Sequence, residues 1–482
     1  MQRINRRTVL QAGAAASVAF PLFTIGGTKA SGKVLGANDT IRVAVAGING
    51  RGSAHIDGLA GMKGVQIVKL VDPDSSLWDS RSKQVEKKGG NRPECVADIR
   101  QALEDKSLDA VTVATCNHWH SLITVWACQA GKDVYVEKPI SHNVFEGRKC
   151  VEAMLKYNRV VQHGTQRRSD GGTARLMSVI HSGKYGKLVV AKGYCCKPRW
   201  SIGQKPTEKP PAHLDFNLWL GPAPEQAFHR NLVHYNWHWF WDTGNGDVGN
   251  QGVHEMDVAR WSIKGATMPD KVWALGGRFL PDGADQGQTP NMQLAVFQFG
   301  DVSLVFETRG LVGKGDYPNK VGNEYYTTDG LIKDGKFHPN GGGKPEPISG
   351  GEDAKVTPGG AFGSFIAAVR SRKREDINCD AEVAHYSSAL CHLANISYRL
   401  GRLQPIDEAK NGIGPNPRVV ESFDTLKANL QAVNVKLDAT TAYQVGRELS
   451  FNPKTEQFVG ADDANQLLTR PYRAPFVVPE KV

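Results

Sequence analysis

The chain has 482 residues, 40% apolar and 22% charged, with a formal net charge of +10, so it is long enough for two domains with cores that need no disulfide staples. No uninterrupted apolar run is long enough to span a bilayer, so the chain reads as soluble and globular apart from its beginning. Four of the positive charges, Arg3, Arg6, Arg7 and Lys29, precede residue 31 and leave +6 on the rest, while the one dense basic run, Arg370-Ser371-Arg372-Lys373-Arg374, runs into Glu375 and Asp376; it reads as a solvated loop and not as a nucleic-acid patch.

The first element is Asn5-Arg6-Arg7-Thr8-Val9-Leu10, a twin arginine ahead of an Ala- and Val-rich stretch, Ala12 to Phe23, that ends in small residues near Ala30 and Ser31. This is the pattern of a Tat-type export signal. Residues 1–37 are therefore expected to be signal and linker, and the mature protein periplasmic or equivalent, with no membrane segment of its own.

From Ile41 short β-branched runs alternate with amphipathic helices: strands are predicted at 41–46, 65–71, 110–115, 134–136 and 160–163. That is the rhythm of βαβ units wound into a parallel sheet, with a ligand at the carboxyl ends of the strands. The first strand runs into Gly47-Ile48-Asn49-Gly50-Arg51-Gly52. Its glycines permit a tight turn, so that the backbone N–H groups of Gly47 to Gly52, Asn49 and Arg51 included, meet a pyrophosphate at a helix N-terminus. Relative to GxGxxG the middle glycine is displaced, with Asn49 in its place and Gly50 beside it. Asp72 closes the second strand, twenty residues past Gly52, where a carboxylate accepts the ribose hydroxyls and repels a 2′-phosphate. NAD is the expected cofactor, held in a Rossmann-type domain over residues 38–168.

Further on, Thr115-Cys116-Asn117-His118-Trp119-His120 follows one strand and Glu137-Lys138-Pro139 follows the next. After residue 170 come a helix over 173–182, a strand from Leu188, and a Pro- and Trp-rich irregular segment, 197–242, expected to form surface. Within it Trp237, Trp239 and Trp241 alternate with His238 and Phe240, which in an extended segment puts three indoles on one face, suited either to stacking on a sugar ring or to core packing. A helix over 248–264 then places Asn250, His254 and Asp257 on one side, at i, i+4 and i+7. β-rich runs at 272–279, 292–299 and 302–308, a Gly-rich loop at 339–351 and a helix at 381–400 complete an α+β domain over residues 169–405 with a large, mostly antiparallel sheet. An irregular extension is expected over 406–482.

Eight cysteines, at 95, 116, 128, 150, 195, 196, 379 and 391, show no CxxC spacing and read as core thiols. His118, His120, His234, His238 and His254, with a carboxylate such as Glu255, raise a zinc alternative, but their spacing fits no compact site and no metal is expected.

Over roughly residues 40–400 these motifs resemble the Gfo/Idh/MocA family, named for glucose-fructose oxidoreductase and inositol dehydrogenase. The family pattern at the two strand ends is close to TPxxxH and EKP, with Cys116 standing here for the proline. The resemblance implies that Thr115, His118, His120, Glu137 and Lys138 border the dinucleotide, and that Lys138 sits beside the nicotinamide and hydrogen-bonds the hydroxyl being oxidised. It makes His254 the candidate general base. Asn250 stands where the family has an Asp, so a charge-dependent role there is lost while an amide still orients a hydroxyl. Lys138, Trp237, Trp239, Asn250, His254 and Asp257 are the expected substrate contacts.

The activity so implied is NAD-dependent oxidation of a secondary hydroxyl on a sugar, polyol or glycoside. Because an exported enzyme has no soluble NAD pool to draw on, a tightly held, internally recycled cofactor is expected. Alternatives are an NAD-dependent glycosidase working by transient oxidation and elimination, and a non-catalytic sugar or nucleotide sensor. The partners implied are a small carbohydrate and no nucleic acid, with room for a homo-oligomer formed through the C-terminal sheet.

Overall fold

The computed structural model describes residues 39–280, 285–313, 319–352, 355–409, 416–437 and 441–482; the twin arginine and the whole expected leader lie outside the described residues. Six strands, β1 (Ile41–Ala46), β2 (Val65–Val71), β3 (Glu94–Val96), β4 (Ala110–Val113), β5 (Asp133–Val136) and β6 (Val161–His163), form a parallel sheet in the order β3-β2-β1-β4-β5-β6. Side chains alternate across it. Ala44, Val111, Val113 and Val134 pack on Leu122, Ile123 and Trp126 of helix Asn117–Gln129, whereas Val43, Val45 and Tyr135 face Ile56 and Leu59 of helix Gly50–Leu59. The order reverses between β1 and β4, the place where such sheets open a crevice at their carboxyl ends. Only β3 escapes the sequence pattern, because three residues are too few for periodicity.

The second sheet contains twelve strands. Those after β6 are β7 (Leu188–Cys195), β8 (Lys271–Gly277), β9 (Met292–Phe299), β10 (Val302–Arg309), β11 (Val321–Thr327), β12 (Gly330–Lys333), β13 (Lys336–Pro339), β14 (Glu346–Pro347), β15 (Arg402–Pro405), β16 (Ala442–Val445), β17 (Leu449–Asn452) and β18 (Gln457–Phe458). Its main path runs β14-β13-β12-β11-β7-β10-β9-β8-β16-β15. The pair β7 and β10 is parallel and the other pairs are antiparallel.

The structure departs from expectation past residue 405. The described residues past 405 are irregular only in part, chiefly over 467–482: β16 and β17 pair with β8, and helix Pro417–Ala432 lays Val419, Phe423, Leu426 and Leu430 over Trp273, Leu275, Leu294 and Val305. The sheet face considered for a homo-oligomer is thus covered in part by the chain's own helix. Phe476, Val478 and Val482 enter the core of the first domain, Phe476 meeting Trp119 edge-on. Segment 197–242 is also more than surface, since Leu214, Trp219, Leu220, Phe228, Leu232, Trp239 and Phe240 form a small core of their own.

The basic run is solvent-exposed over 371–375, and its arginines are paired. Arg370 donates to the carbonyls of Asp39 and Gly64, Arg372 pairs with Asp133, and Arg374 with Asp380 and Glu382. The Arg370 and Arg372 contacts fasten helix Gly360–Ser371 to the first domain, whose sheet it covers with Phe365 and Val369. All eight cysteines are free thiols, six of them buried.

Phe423 is 1% exposed beneath the sheet, so Phe423→Ala is expected to destabilise the chain by about 3 to 5 kcal/mol, the transfer and cavity cost of a buried aromatic ring. A urea unfolding midpoint unchanged from wild type would show that this helix does not complete the core.

Candidate functional site

A cleft of about 470 Å³ opens at the carboxyl ends of β1, β2, β4 and β5 and is walled by both domains. Its floor is the Gly-rich turn. Gly47 has φ of 76°, and a Cβ there would fall 2.6 Å from the amide nitrogen of Thr115; on Gly52 it would fall 1.8 Å from the Gly47 carbonyl oxygen. Only glycine permits strand and helix to approach this closely. Asn49 precedes helix Gly50–Leu59 in extended conformation and makes no side-chain cap, and the first turn carries no acid, so the positive helix end faces the cleft beside Asn49, Gly50 and Arg51. These residues suit a dinucleotide pyrophosphate.

Asp72 lies on the cleft wall, 8% exposed. Its Oδ2 accepts the N–H of Ile48 and its Oδ1 that of Asp74, each at 2.9 Å. Burial raises its pKa, opposed by those two backbone bonds. Each oxygen keeps one more acceptor site. Beside it Asp74, 1% exposed, holds His213 Nδ1 and His234 Nε2, each at 2.8 Å. Main-chain bonds from Ser75 to His213 and from Asp215 to Pro73 reinforce this contact. Segment 197–242 is thereby tied down beside Asp72, and its Leu218, Trp219, His234, Tyr235 and Trp237 wall the cleft. Nothing in the sequence pattern singled out Tyr235, and His234 stood out only as a conceivable zinc ligand.

At the end of β5, Glu137 accepts a hydrogen bond from Arg51 Nε at 2.8 Å and faces His55 Nε2 at 3.1 Å. Burial pushes its carboxyl up, but the bond from His55 and the charges of His55, Arg51 and Lys138 outweigh it and hold it well below the usual carboxylate range. Glu137 thus fixes Arg51 at the dinucleotide turn. Burial lowers the pKa of Lys138, with Glu137 and Asp247 opposing. His254 is pulled down to about 3 by burial and by Lys138, so its ring is uncharged. Lys138, Asn250 and His254 converge on the cleft wall.

The helix expected over 248–264 is broken. It forms as Gly246–Asn250 and Gly252–Ser262, with Gln251 between. In a continuous helix the Asn250 carbonyl would accept from His254 N–H. That N–H bonds instead to Gln251 O at 3.0 Å, and the freed Asn250 carbonyl accepts from Lys138 Nζ. The Asn250 side-chain Oδ1 lies 3.4 Å from the same ammonium.

Several expected contacts fall elsewhere. Asp257 is fully buried, accepting from Arg168 Nε at 2.9 Å and from Ser387 Oγ at 2.6 Å; two turns along the helix carry it past the cleft. Asn236–Trp239 forms a 3-10 turn, not an extended run, and its period of three sends the indoles apart. Trp237 lines the cleft, while Trp239 is buried under the Arg278 guanidinium, 4.8 Å from its ring centre, and Trp241 packs on Tyr398 and Arg399. His118 lies outside the cleft wall, its ring between the carbonyls of Thr243 and Trp219 at 3.1 and 2.9 Å, where it ties the first domain to segment 197–242. His120 and Thr115 do border the cleft, the His120 ring bridging the carbonyls of Pro139 and Thr115. Among the described residues no three His, Cys, Asp or Glu side chains group as a metal site.

Residues 41–165 match the family model described as the NAD-binding Rossmann fold of the GFO_IDH_MocA oxidoreductase family, and residues 177–276 match that of the family's C-terminal alpha/beta domain. An inositol 2-dehydrogenase of Salmonella typhimurium is 29% identical over 156 residues, 32% of this chain and 45% of that protein. A glycosyl hydrolase family 109 protein of Shewanella pealeana is 24% identical over 189 residues, 38% of this chain and 41% of its own. The chain thus spans less than half the length of these curated relatives. The crystal structure of scyllo-inositol dehydrogenase from Lactobacillus casei, with bound NAD(H) and scyllo-inositol, has the same fold at 17% identity and a TM-score of 0.52, covering 74% of this chain and 96% of that one. Residues 41–165 and 177–276 are therefore similar, in that order, to the NAD-binding domain and the C-terminal alpha/beta domain of the GFO_IDH_MocA oxidoreductase family.

Proposed function

We propose that this chain is an NAD-dependent oxidoreductase that oxidises a secondary hydroxyl of a sugar, polyol or glycoside. The observation that carries this reading is the convergence of Lys138, Asn250 and His254 on the cleft that the dinucleotide turn and Asp72 also line. The inositol 2-dehydrogenase similarity supports a polyhydroxylated substrate. Bound NAD supplies the hydride acceptor. Gly47, Asn49, Gly50, Arg51 and Asp72 hold it, and the chain's own groups do the rest.

Lys138 approaches the reacting oxygen and, with a pKa lowered by burial, takes the hydroxyl proton in its uncharged form. The base role expected of His254 fits less well, because a ring held at about 3 is a weak proton acceptor. Uncharged, it accepts a hydrogen bond from a substrate hydroxyl and orients it. The Asn250 amide and the Trp237 indole complete the wall on which a sugar ring rests.

Export through the Tat pathway, read from Arg6 and Arg7, favours NAD captured before transport and regenerated within each turnover. The tie of segment 197–242 to Asp74 supports slow release. A second reading, transient oxidation with elimination of a glycosidic group, is favoured by the similarity to the family 109 glycosyl hydrolase protein. Net release of a free sugar from a glycoside with no net change in NADH would select it.

Asp72→Ala is expected to weaken NAD and relax discrimination against NADP by about 1 to 3 kcal/mol, since an acceptor and a repulsive charge go together. Titration of wild type and variant with both nucleotides checks this, and a wild type that prefers NADP would overturn the assignment.

Lys138→Ala should lower turnover by about 10² to 10⁴-fold with nucleotide affinity nearly intact, and His254→Ala by only about 3- to 10-fold, the worth of one orienting hydrogen bond. As a base Lys138 works deprotonated, so kcat/KM should rise with pH through its pKa. That limb should persist in His254→Asn and vanish in Lys138→Ala; the reverse pattern would return the base role to His254.

Exported protein should retain near-stoichiometric nucleotide through extensive dialysis. Protein that leaves the column empty and works only with millimolar added NAD would defeat the retained-cofactor reading and spare the oxidoreductase one.

A further inference from the structure

The break at Gln251 is held from both sides. Gln251 Oε1 accepts from Lys197 Nζ at 2.6 Å, and its Nε2 donates to Glu255 Oε1 at 3.1 Å and Oε2 at 3.3 Å. Lys197 follows β7, and Glu255, 7% exposed, lies in the first turn of the second helix segment. The backbone around the break is equally constrained. A Cβ on Gly249 would fall 2.4 Å from the Asn245 Cβ, and one on Gly252 would fall 2.7 Å from the Phe306 ring. In a continuous helix His254 N–H would take the Asn250 carbonyl and turn it along the helix axis; with the break, His254 N–H bonds Gln251 O and Lys138 meets the Asn250 carbonyl without that competitor.

We propose that Lys197, Gln251 and Glu255 form a positioning device, a side-chain chain that holds the helix open at Gln251 and so turns the Asn250 main-chain carbonyl onto the Lys138 ammonium. None of the three touches the reacting atoms. Their effect is on where Lys138 points and on how strongly its charged form is held. The consequence for catalysis rests on the reading of Lys138 as the group that meets the substrate hydroxyl; the geometry does not.

The charges around Lys138 set the sign of the test. Glu137, its neighbour in sequence, and Asp247 before the break favour the ammonium, as does Glu255 after the break once ionised, its carboxyl being pushed up to about 8 by burial, and Arg51 opposes it. The imidazoles of His120, His163, His238 and His254, from the other elements packed here, are all held low by burial. Removing the Lys197 charge alone relieves repulsion and would raise the Lys138 pKa. Losing the Asn250 carbonyl would lower it, since a hydrogen bond from the ammonium favours the charged form. The two explanations therefore predict opposite shifts once the charge of Glu255 is neutralised.

The Lys138 side chain can be titrated directly in full-length protein carrying 13Cε-lysine, its resonance assigned by its absence in Lys138→Arg. In a Glu255→Gln background, which keeps an acceptor for Gln251, Lys197→Met is expected to lower the Lys138 titration by about one pH unit, the tenfold change that loss of one charged hydrogen bond produces. Lys197→Arg should restore it, and Gln251→Met should lower it equally. An unchanged or raised titration in Lys197→Met overturns the proposal, and that variant decides the matter if Gln251→Met does not fold. Because the readout needs no substrate, a wild type inactive on every polyol would sink the functional reading and leave this result standing.

Discussion

An ammonium withdrawn from water must be given acceptors, and here the nearest acceptor is main chain. Lys138 stands at the end of β5 between two domains, and the Asn250 carbonyl it meets is available because a helix that the residue spacing would make continuous is interrupted. Much of the surrounding architecture serves that contact. Glycines 249 and 252 let the interrupted segment lie against Asn245 and Phe306. Glu137, the neighbour of Lys138 in sequence, is turned toward Arg51 and His55 instead of the lysine, so two adjacent charged residues serve the two ends of one cleft.

The parallel sheet, the Gly-rich turn and Asp72 were legible because each is a local pattern: a β-branched run, a glycine where only glycine fits, a carboxylate at a strand end. Lys138 and His254 were legible by resemblance to a family. The helix break was not, since Asn250, Gln251 and His254 keep helical spacing in sequence; Gly249 and Gly252 beside it are the one local hint, and the Lys197 contact comes from a distant part of the chain. The indoles were misplaced for a related reason. Alternation predicts one shared face only in extended chain, and Asn236–Trp239 turns. Asp257 shows that a shared helix face does not mean a shared ligand, because Arg168 claims it one turn deeper.

Segment 197–242 carried no periodicity, yet it closes the site. Its own apolar cluster gives it a fixed shape, and Asp74 binds it through two imidazoles and a short antiparallel bridge to Leu214. A wall of this kind is specified by contacts between residues more than a hundred positions apart, which no window along the sequence contains.

The same separation has a consequence for how the chain acquires its structure during synthesis. Lys156 of the first domain donates to the carbonyl of Val482, 326 residues later, and Phe476 and Val478 fill the same core. A ribosome adding about 5 to 20 residues per second leaves the nucleotide-binding sheet outside the tunnel for some tens of seconds with part of one face bare. Non-local contacts of this span are slow to close. The nucleotide-binding domain therefore emerges before the second domain yet is completed only by residues synthesised after it, and chaperones that shield apolar surface have that interval in which to act.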